Sequence, residues 1–370
     1  GAFLLHLARA LADQDVRVSV VAPAGDHLPA DEVLDGIPVH RFRYAPRRYQ
    51  RLAYTGQMAE EVARSLGAKL ALLGFLGSEF ASGTRVRRDF EPSLLHAHWW
   101  FPGGLVGSWV SGLAGIPMVT TMHGTDVRLA MGNSLARTLL RHTLAHSSAV
   151  TTVSTWLAGQ VKAMAPRSDP VVSPMPVATS LFTPGGTRHP DRLLFVGRLN
   201  AQKGIGLLLE AMAAMRVPAT LDAIGDGTDA EALRHRAGAL GLESRIRWHG
   251  ALPQPQLLEF YRGAAALVVP SREEGFGLVA VEGQLCETPV VAFASGGLAD
   301  SIEDGVTGYL TPPGDAPALA VALDRVLSSE ARHEVGRAGR QSAVARYAPE
   351  SVARRYRLLY ESVLSGADSR

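Results

Sequence analysis

The chain has 370 residues, 46% hydrophobic and 19% charged, with a net charge of +2 and one cysteine. That length makes two domains the starting expectation, and the composition is that of an ordinary soluble globular protein. No run of 18 or more apolar residues occurs, so no spanning helix is expected. Cys286 alone excludes an intramolecular disulfide and a cysteine-built metal site, and fits a reducing, cytoplasmic setting. The near-neutral balance gives no reason to expect a nucleic-acid partner.

In chain order, residues 2–12 (AFLLHLARALA) read as an amphipathic helix and 16–23 (VRVSVVAP) as a strand. A doubly wound sheet places a strand and a Gly-rich turn before such a helix. The pattern therefore predicts roughly 15–25 further residues upstream of Gly1, the size of that half-unit. Residues 37–42 read as a second strand. It leads into a basic, aromatic segment in which Arg41, Arg43, Arg47, Arg48 and Arg51 alternate with Phe42, Tyr44 and Tyr49. This segment reads either as a solvated loop or as a contact for an anionic membrane surface on the cytoplasmic face, or for a phosphorylated acceptor. Further strands are expected at 93–98, 116–122 and 149–154, then at 192–197, 219–225, 245–250, 265–270 and 289–294. Helical stretches such as 231–239 and 256–262 lie between them, which is the alternation of parallel α/β structure. Residues 171–191 hold four prolines and no clear period, the best linker candidate.

The second half carries the chemistry. After the apolar run ALVVP comes SREEGFG and then LVAVEGQ, residues 271 to 284 (SREEGFGLVAVEGQ) in all: strand, glycine turn, buried helix. The amides of Phe276, Gly277 and Leu278 would then lie at a helix N-terminus, a site for a diphosphate. Glu274 precedes that helix. Glu282 lies about six residues into it, roughly 9 Å further along at 1.5 Å per residue. Carboxylates repel phosphate, so these two are expected to accept hydrogen bonds from sugar hydroxyls on either side of it. Glu273 is out of register by one position. Arg198 and Lys203, in GRLNAQKG after the preceding strand, supply fixed cations for a leaving diphosphate, with Gly197 in the same turn. Asp226-Gly227 reads as a structural turn. In the first half, His123 and Asp126 close a strand in VTTMHGTDV, where His123 reads as a sugar contact. HAHWWFPGG (96–104) reads either as an acceptor platform or as core packing. Asp13-Gln14-Asp15 matches a metal-binding pattern but falls in a helix-to-strand turn, and is read as a chance match.

The run GRLNAQKG, then EEGFGLVAVEG, then GGLADSIEDGVTGYL resembles the retaining glycosyltransferases of family 4 over nearly the whole chain. The resemblance implies a GT-B fold: two facing Rossmann-like domains with an interdomain cleft, and a C-terminal helix crossing back to the first. The expected domains are 1–174 on the acceptor side, a linker at 175–190, a nucleotide-sugar domain at 191–346, and the final helix at 347–370. It further implies a nucleotide-sugar donor, with Arg198 and Lys203 on the diphosphate, Glu274 on the donor sugar, Glu282 on the ribose and His123 beside the sugar. Asp126, Gly197, Phe276, Gly277 and Leu278 are counted among the donor contacts. No metal or other cofactor is expected. The chain departs from the family pattern at PMPVATSLF, where relatives commonly carry Asn-Gly and an acidic residue near Ala178.

The expected reaction is retaining transfer to a hydroxyl of a glycan, lipid or small molecule. A sugar-nucleotide epimerase and a non-catalytic nucleotide-sugar-binding fragment are the alternatives. Base, sugar and acceptor are not readable from the sequence.

Overall fold

The computed structural model describes residues 2–54 and 58–367. Gly1, and with it the question of what precedes it, lies outside the described residues. The chain divides into two compact units, Gly1–Ser173 with Val352–Arg370, and Pro174–Ser351.

The first unit opens with helix α1 (Ala2–Ala12), followed by strands β1 (Val20–Pro23), β2 (Asp31–Leu34) and β3 (Ile37–Phe42). β1 is shorter than its apolar run, because Val16 and Val18 pack onto the α1 core instead of extending the ladder. β2 is a strand that the residue pattern did not announce. It pairs antiparallel with β3 across Asp35-Gly36, both at positive φ (49° and 84°), the geometry a two-residue hairpin requires. Two helices follow, α2 (Met58–Arg64) and the long α3 (Leu66–Phe90), whose Ser65 cap accepts from the Ala68 amide at 3.0 Å.

Next come β4 (Leu95–His98), α4 (Leu105–Ala114), β5 (Met118–Met122), α5 (Thr125–Gly132), α6 (Ser134–Ala145), β6 (Ala149–Thr152), α7 (Thr155–Met164) and the two-residue β7 (Val171–Val172). These strands form a parallel sheet in the order β4-β5-β6-β7, while β1-β3-β2 form a separate one. β5 is buried at every position, as a strand covered on both faces must be.

The second unit runs β8 (Arg192–Val196), α8 (Ile205–Ala214), β9 (Thr220–Ile224), α9 (Ala230–Ala239), β10 (Ile246–Gly250), α10 (Leu257–Gly263), β11 (Ala266–Val269), α11 (Leu278–Leu285), β12 (Val290–Phe293), α12 (Leu298–Ser301), β13 (Tyr309–Thr311), α13 (Ala316–Ser328) and α14 (Arg332–Tyr347). Its six strands are all parallel, in the order β10-β9-β8-β11-β12-β13. The chain leaves β8 towards one edge and returns at β11 to build towards the other. That makes β8 and β11 the topological switch point, beyond whose carboxyl ends such sheets bind ligands.

The final helix, α15 (Pro349–Ala367), belongs from Val352 onward to the first unit. Its Val352, Ala353 and Tyr356 bury against Leu7, Ala10 and Leu11 of α1. Among the described residues no helix is long and apolar enough to cross a membrane.

Candidate active site

Both loops at the switch point carry the residues singled out by their chemistry. The β8 loop turns at Asn200, whose side chain accepts from the Lys203 amide at 3.1 Å, and ends at Gly204. Gly204 has φ 69°, and a Cβ there would sit 1.8 Å from the Pro270 carbonyl oxygen, so only glycine lets the two loops close. The Arg272 amide donates to the Gln202 carbonyl at 2.8 Å and completes the stitch. Across it the Lys203 ammonium meets Glu274 Oε2 at 2.6 Å, both side chains largely shielded from water. Arg198 stands exposed on the same loop. The exposed Asp226-Gly227 turn abuts it: the Leu199 amide donates to the Asp226 carbonyl at 3.0 Å, and a Cβ on Gly227 would lie 2.4 Å from the Leu199 carbonyl oxygen.

Glu274 is backed by the Gly296-Gly297 turn that opens the GGLADS stretch, to which the sequence assigned no role. The Gly297 amide donates to the Glu274 carbonyl at 2.8 Å, and a Cβ on Gly296 would lie 2.0 Å from that oxygen. Helix α11 starts at Leu278 with Gly277 at φ 92° and no capping side chain, which leaves its first-turn amides without a side-chain partner. The Phe276 ring is core, edge-on to Tyr347 at 5.3 Å, so only its backbone bears on the site.

Glu282 is the fifth residue of α11, about 6 Å past its first residue, a shorter reach than the spacing alone implied. Its carboxylate is buried and accepts twice: Gln254 Nε2 donates to Oε1 and Tyr261 Oη to Oε2, each at 2.7 Å. Burial raises its pKa while these two hydrogen bonds lower it. Neither donor was foreseen, since nothing in sequence spacing ties residues 254 and 261 to 282.

In the first unit, β5 delivers His123 and α5 delivers Asp126. Asp126, expected as a donor contact, turns its carboxylate inward: Oδ1 accepts from the amides of His123 (3.1 Å) and Gly124 (2.9 Å), and Oδ2 from Trp100 (3.2 Å). Fully enclosed, its carboxylate fixes the β5 loop to the β4 loop. His123 Nε2 lies 3.0 Å from His98 Nδ1, while its own Nδ1 is buried without a partner. Burial pushes the His98 pKa down to about 4 and that of His123 well below its ordinary value, so both rings are neutral at pH 7. The HAHWWFPGG stretch divides between its two readings. Trp100 is core and His96 binds Tyr360 and Thr121, while His98 and the Trp99 ring (4.8 Å) pack on His123. Among the described residues no group of three or more His, Cys, Asp or Glu is placed to hold a metal ion.

Two sequence families cover the chain: "Glycosyl transferase 4-like domain" over residues 1–174 and "Glycosyl transferases group 1" over 185–342. The D-inositol 3-phosphate glycosyltransferase 1 of Catenulispora acidiphila is 31% identical across all of this chain and 91% of its own length. The chain belongs to this glycosyltransferase family. A D-inositol 3-phosphate glycosyltransferase of Acidothermus cellulolyticus is 33% identical over 82% of this chain and 76% of its own. Among solved structures, sucrose-phosphate synthase from Thermosynechococcus elongatus superposes with a TM-score of 0.79 at 24% identity, covering 99% of this chain and 93% of that one. Anabaena HepE in complex with UDP-glucose gives 0.73 at 22%, covering 98% and 96%. The glycosyltransferase has the GT-B fold of these neighbours.

Proposed function

We propose that this glycosyltransferase moves a sugar from a nucleoside-diphosphate donor to a hydroxyl acceptor with retention of anomeric configuration. The observation that carries the reading is the Lys203–Glu274 pair at 2.6 Å, set at the switch point beside the uncapped start of α11. Facing each other, the two groups neutralise one another's charge. A donor would separate their roles, Lys203 and Arg198 turning to the diphosphate with the amides of Phe276, Gly277 and Leu278, and Glu274 to a sugar hydroxyl. As the glycosidic C–O bond breaks, negative charge grows on the diphosphate oxygen, where fixed cations and amides stabilise it. The acceptor hydroxyl then bonds the anomeric carbon on the face the leaving group vacates. Its proton passes to a departing phosphate oxygen. Glu282 is assigned to the ribose; His123 keeps the sugar role that the family resemblance implies.

Charge neutralisation falls to Arg198, Lys203 and α11, so the reaction is assigned no metal. Saturating EDTA should leave the rate within about twofold; loss of activity restored by Mg²⁺ would reverse this assignment. Anabaena HepE was solved with UDP-glucose, which makes UDP-sugars the first donors to try. The names of the relatives make a phosphorylated polyol the first acceptor.

The test is a thermal-shift screen of nucleotide sugars followed by transfer assays with product stereochemistry read by NMR. A fitting donor at a hundred times its Kd should add about 2.7 kcal/mol of stability. Lys203→Ala should lower kcat by about 10²–10³. Nucleotide binding without any transfer would favour the non-catalytic reading, release of free sugar without an acceptor the epimerase, and an inverted product would refute retention.

A further inference from the structure

The first unit presents a surface that this reaction does not use. The inner face of α3 is ordinary core, with Ala71 and Phe75 packed on Phe42, Tyr44 and Leu52. Its outer face should then be polar. Instead Leu66, Leu70 and Leu73, at positions i, i+4 and i+7, are 73%, 62% and 67% exposed. Gly77 and Ala81 prolong the stripe without a charge, and Lys69 flanks its start.

Beside this stripe lie exposed cations. Arg48 and Arg51 line a pocket of about 330 Å³ together with Glu61 and with Ser65, Gly67 and Ala68 at the start of α3. Arg48 also stacks on the half-exposed Tyr49 ring, 4.9 Å from its centroid. Residues 43–70 contain six basic side chains (Arg43, Arg47, Arg48, Arg51, Arg64, Lys69) against two acidic ones, Glu60 and Glu61. Arg41 is not among the exposed cations, because its guanidinium is buried against Glu32.

We propose that the outer face of α3 and the neighbouring Arg43–Arg51 segment together form a docking surface for an anionic lipid bilayer. The leucines enter the boundary between headgroups and acyl chains while the guanidiniums take lipid phosphates. Both halves of the surface have a use only there. A nucleic acid would satisfy the cations and leave three leucines in water. A second copy packed about a two-fold axis would cover the leucines but set the six cations against six more. The segment read from sequence as residues 41–51 is thereby narrowed at Arg41 and extended onto α3. The surface is independent of the donor assignment.

Sedimentation of the 370-residue chain with phosphatidylcholine vesicles, with and without phosphatidylglycerol, tests this. Phosphatidylglycerol vesicles should bind at least about tenfold more tightly than pure phosphatidylcholine, and added salt should erode the difference. Leu66→Ser/Leu70→Ser/Leu73→Ser should lower binding about tenfold or more. Arg47→Gln/Arg48→Gln/Arg51→Gln should lower it on the order of a hundredfold, at about fivefold per cation. All six positions are exposed, so thermal unfolding of both variants should match that of the parent. Equal binding to both vesicle types, or binding undiminished by the serine variant, overturns the proposal. So does self-association that the serine variant abolishes in a chain that binds no vesicles, since the face would then be an interface between copies.

Discussion

Glu282 keeps a charge inside the second unit, and two neighbours make that tolerable. Burial favours its neutral form, while the Tyr261 hydroxyl and Gln254 amide, each at 2.7 Å, favour the carboxylate. Tyr261→Phe removes one of these and so raises the Glu282 pKa further. If the carboxylate accepts from the ribose, nucleotide affinity falls as pH drops through that pKa, and in Tyr261→Phe the fall should begin at higher pH. Calorimetric titration against pH checks this; superimposable profiles would show that the hydroxyl does not act on Glu282. Glu79 in α3 is a second buried carboxyl, with Oε2 unpartnered and a pKa that burial pushes up to about 8 from 4.5. Between those values the folded chain holds a proton that the unfolded chain has lost, so stability falls as pH rises from about 4.5 to about 8. Glu79→Gln should therefore melt several degrees above the parent at about pH 9, with the gap closing towards about pH 5. An unchanged gap across that range would exclude Glu79 as its source. Residues of this kind are where sequence reading stops. Glu274, Lys203 and Arg198 stand out because charges and glycines cluster within a few positions of a strand end. Gln254, Tyr261 and His98 reach their partners only through folding, from 25 or more positions away for His98 and Gln254 and 21 for Tyr261.

At the scale of elements, the loops beyond β8 and β11 depend on a close approach that one glycine permits. Gly204→Ala must place a Cβ against the Pro270 carbonyl at an unfavourable φ of 69°. It should destabilise the second unit by about 2 kcal/mol or more and weaken donor binding with it. Denaturant titration and binding of the preferred nucleotide measure both, and a neutral substitution would mean that the two loops part freely. Most of the parallel strands were legible as short β-branched runs bounded by Gly, Pro or Asn. The exceptions have physical causes. β2 (DEVL) is an exposed antiparallel edge with too few apolar residues to register, although its Asp35-Gly36 turn was the available signal. β13 is three residues long and exists through its pairing with β12. β7 is two residues at the edge of a sheet, inside a proline-rich stretch that reads as linker.

For the whole molecule, the division into two units of similar internal density predicts separable behaviour. α15 belongs to the first unit, where Tyr356 is buried against α1 and its hydroxyl meets Thr121 at 3.2 Å. Tyr356→Ala should cost that unit about 3–5 kcal/mol, as large aromatic truncations in cores do. The second unit should keep its own transition in calorimetry. A nucleotide should raise the transition of the second unit and leave the first where it was; a shift of the first alone would misplace the donor site. The central claim is that the switch-point residues of the second unit bind and activate a nucleotide sugar. The most direct measurement is the rate of sugar transfer by the parent and Glu274→Gln, with nucleoside-diphosphate binding followed in parallel. The substitution keeps size and shape but surrenders the charge that pairs with Lys203 and accepts from a sugar hydroxyl. Glu274→Gln should still bind the nucleoside diphosphate and transfer sugar at least about a hundredfold more slowly. Transfer at the parental rate would contradict it.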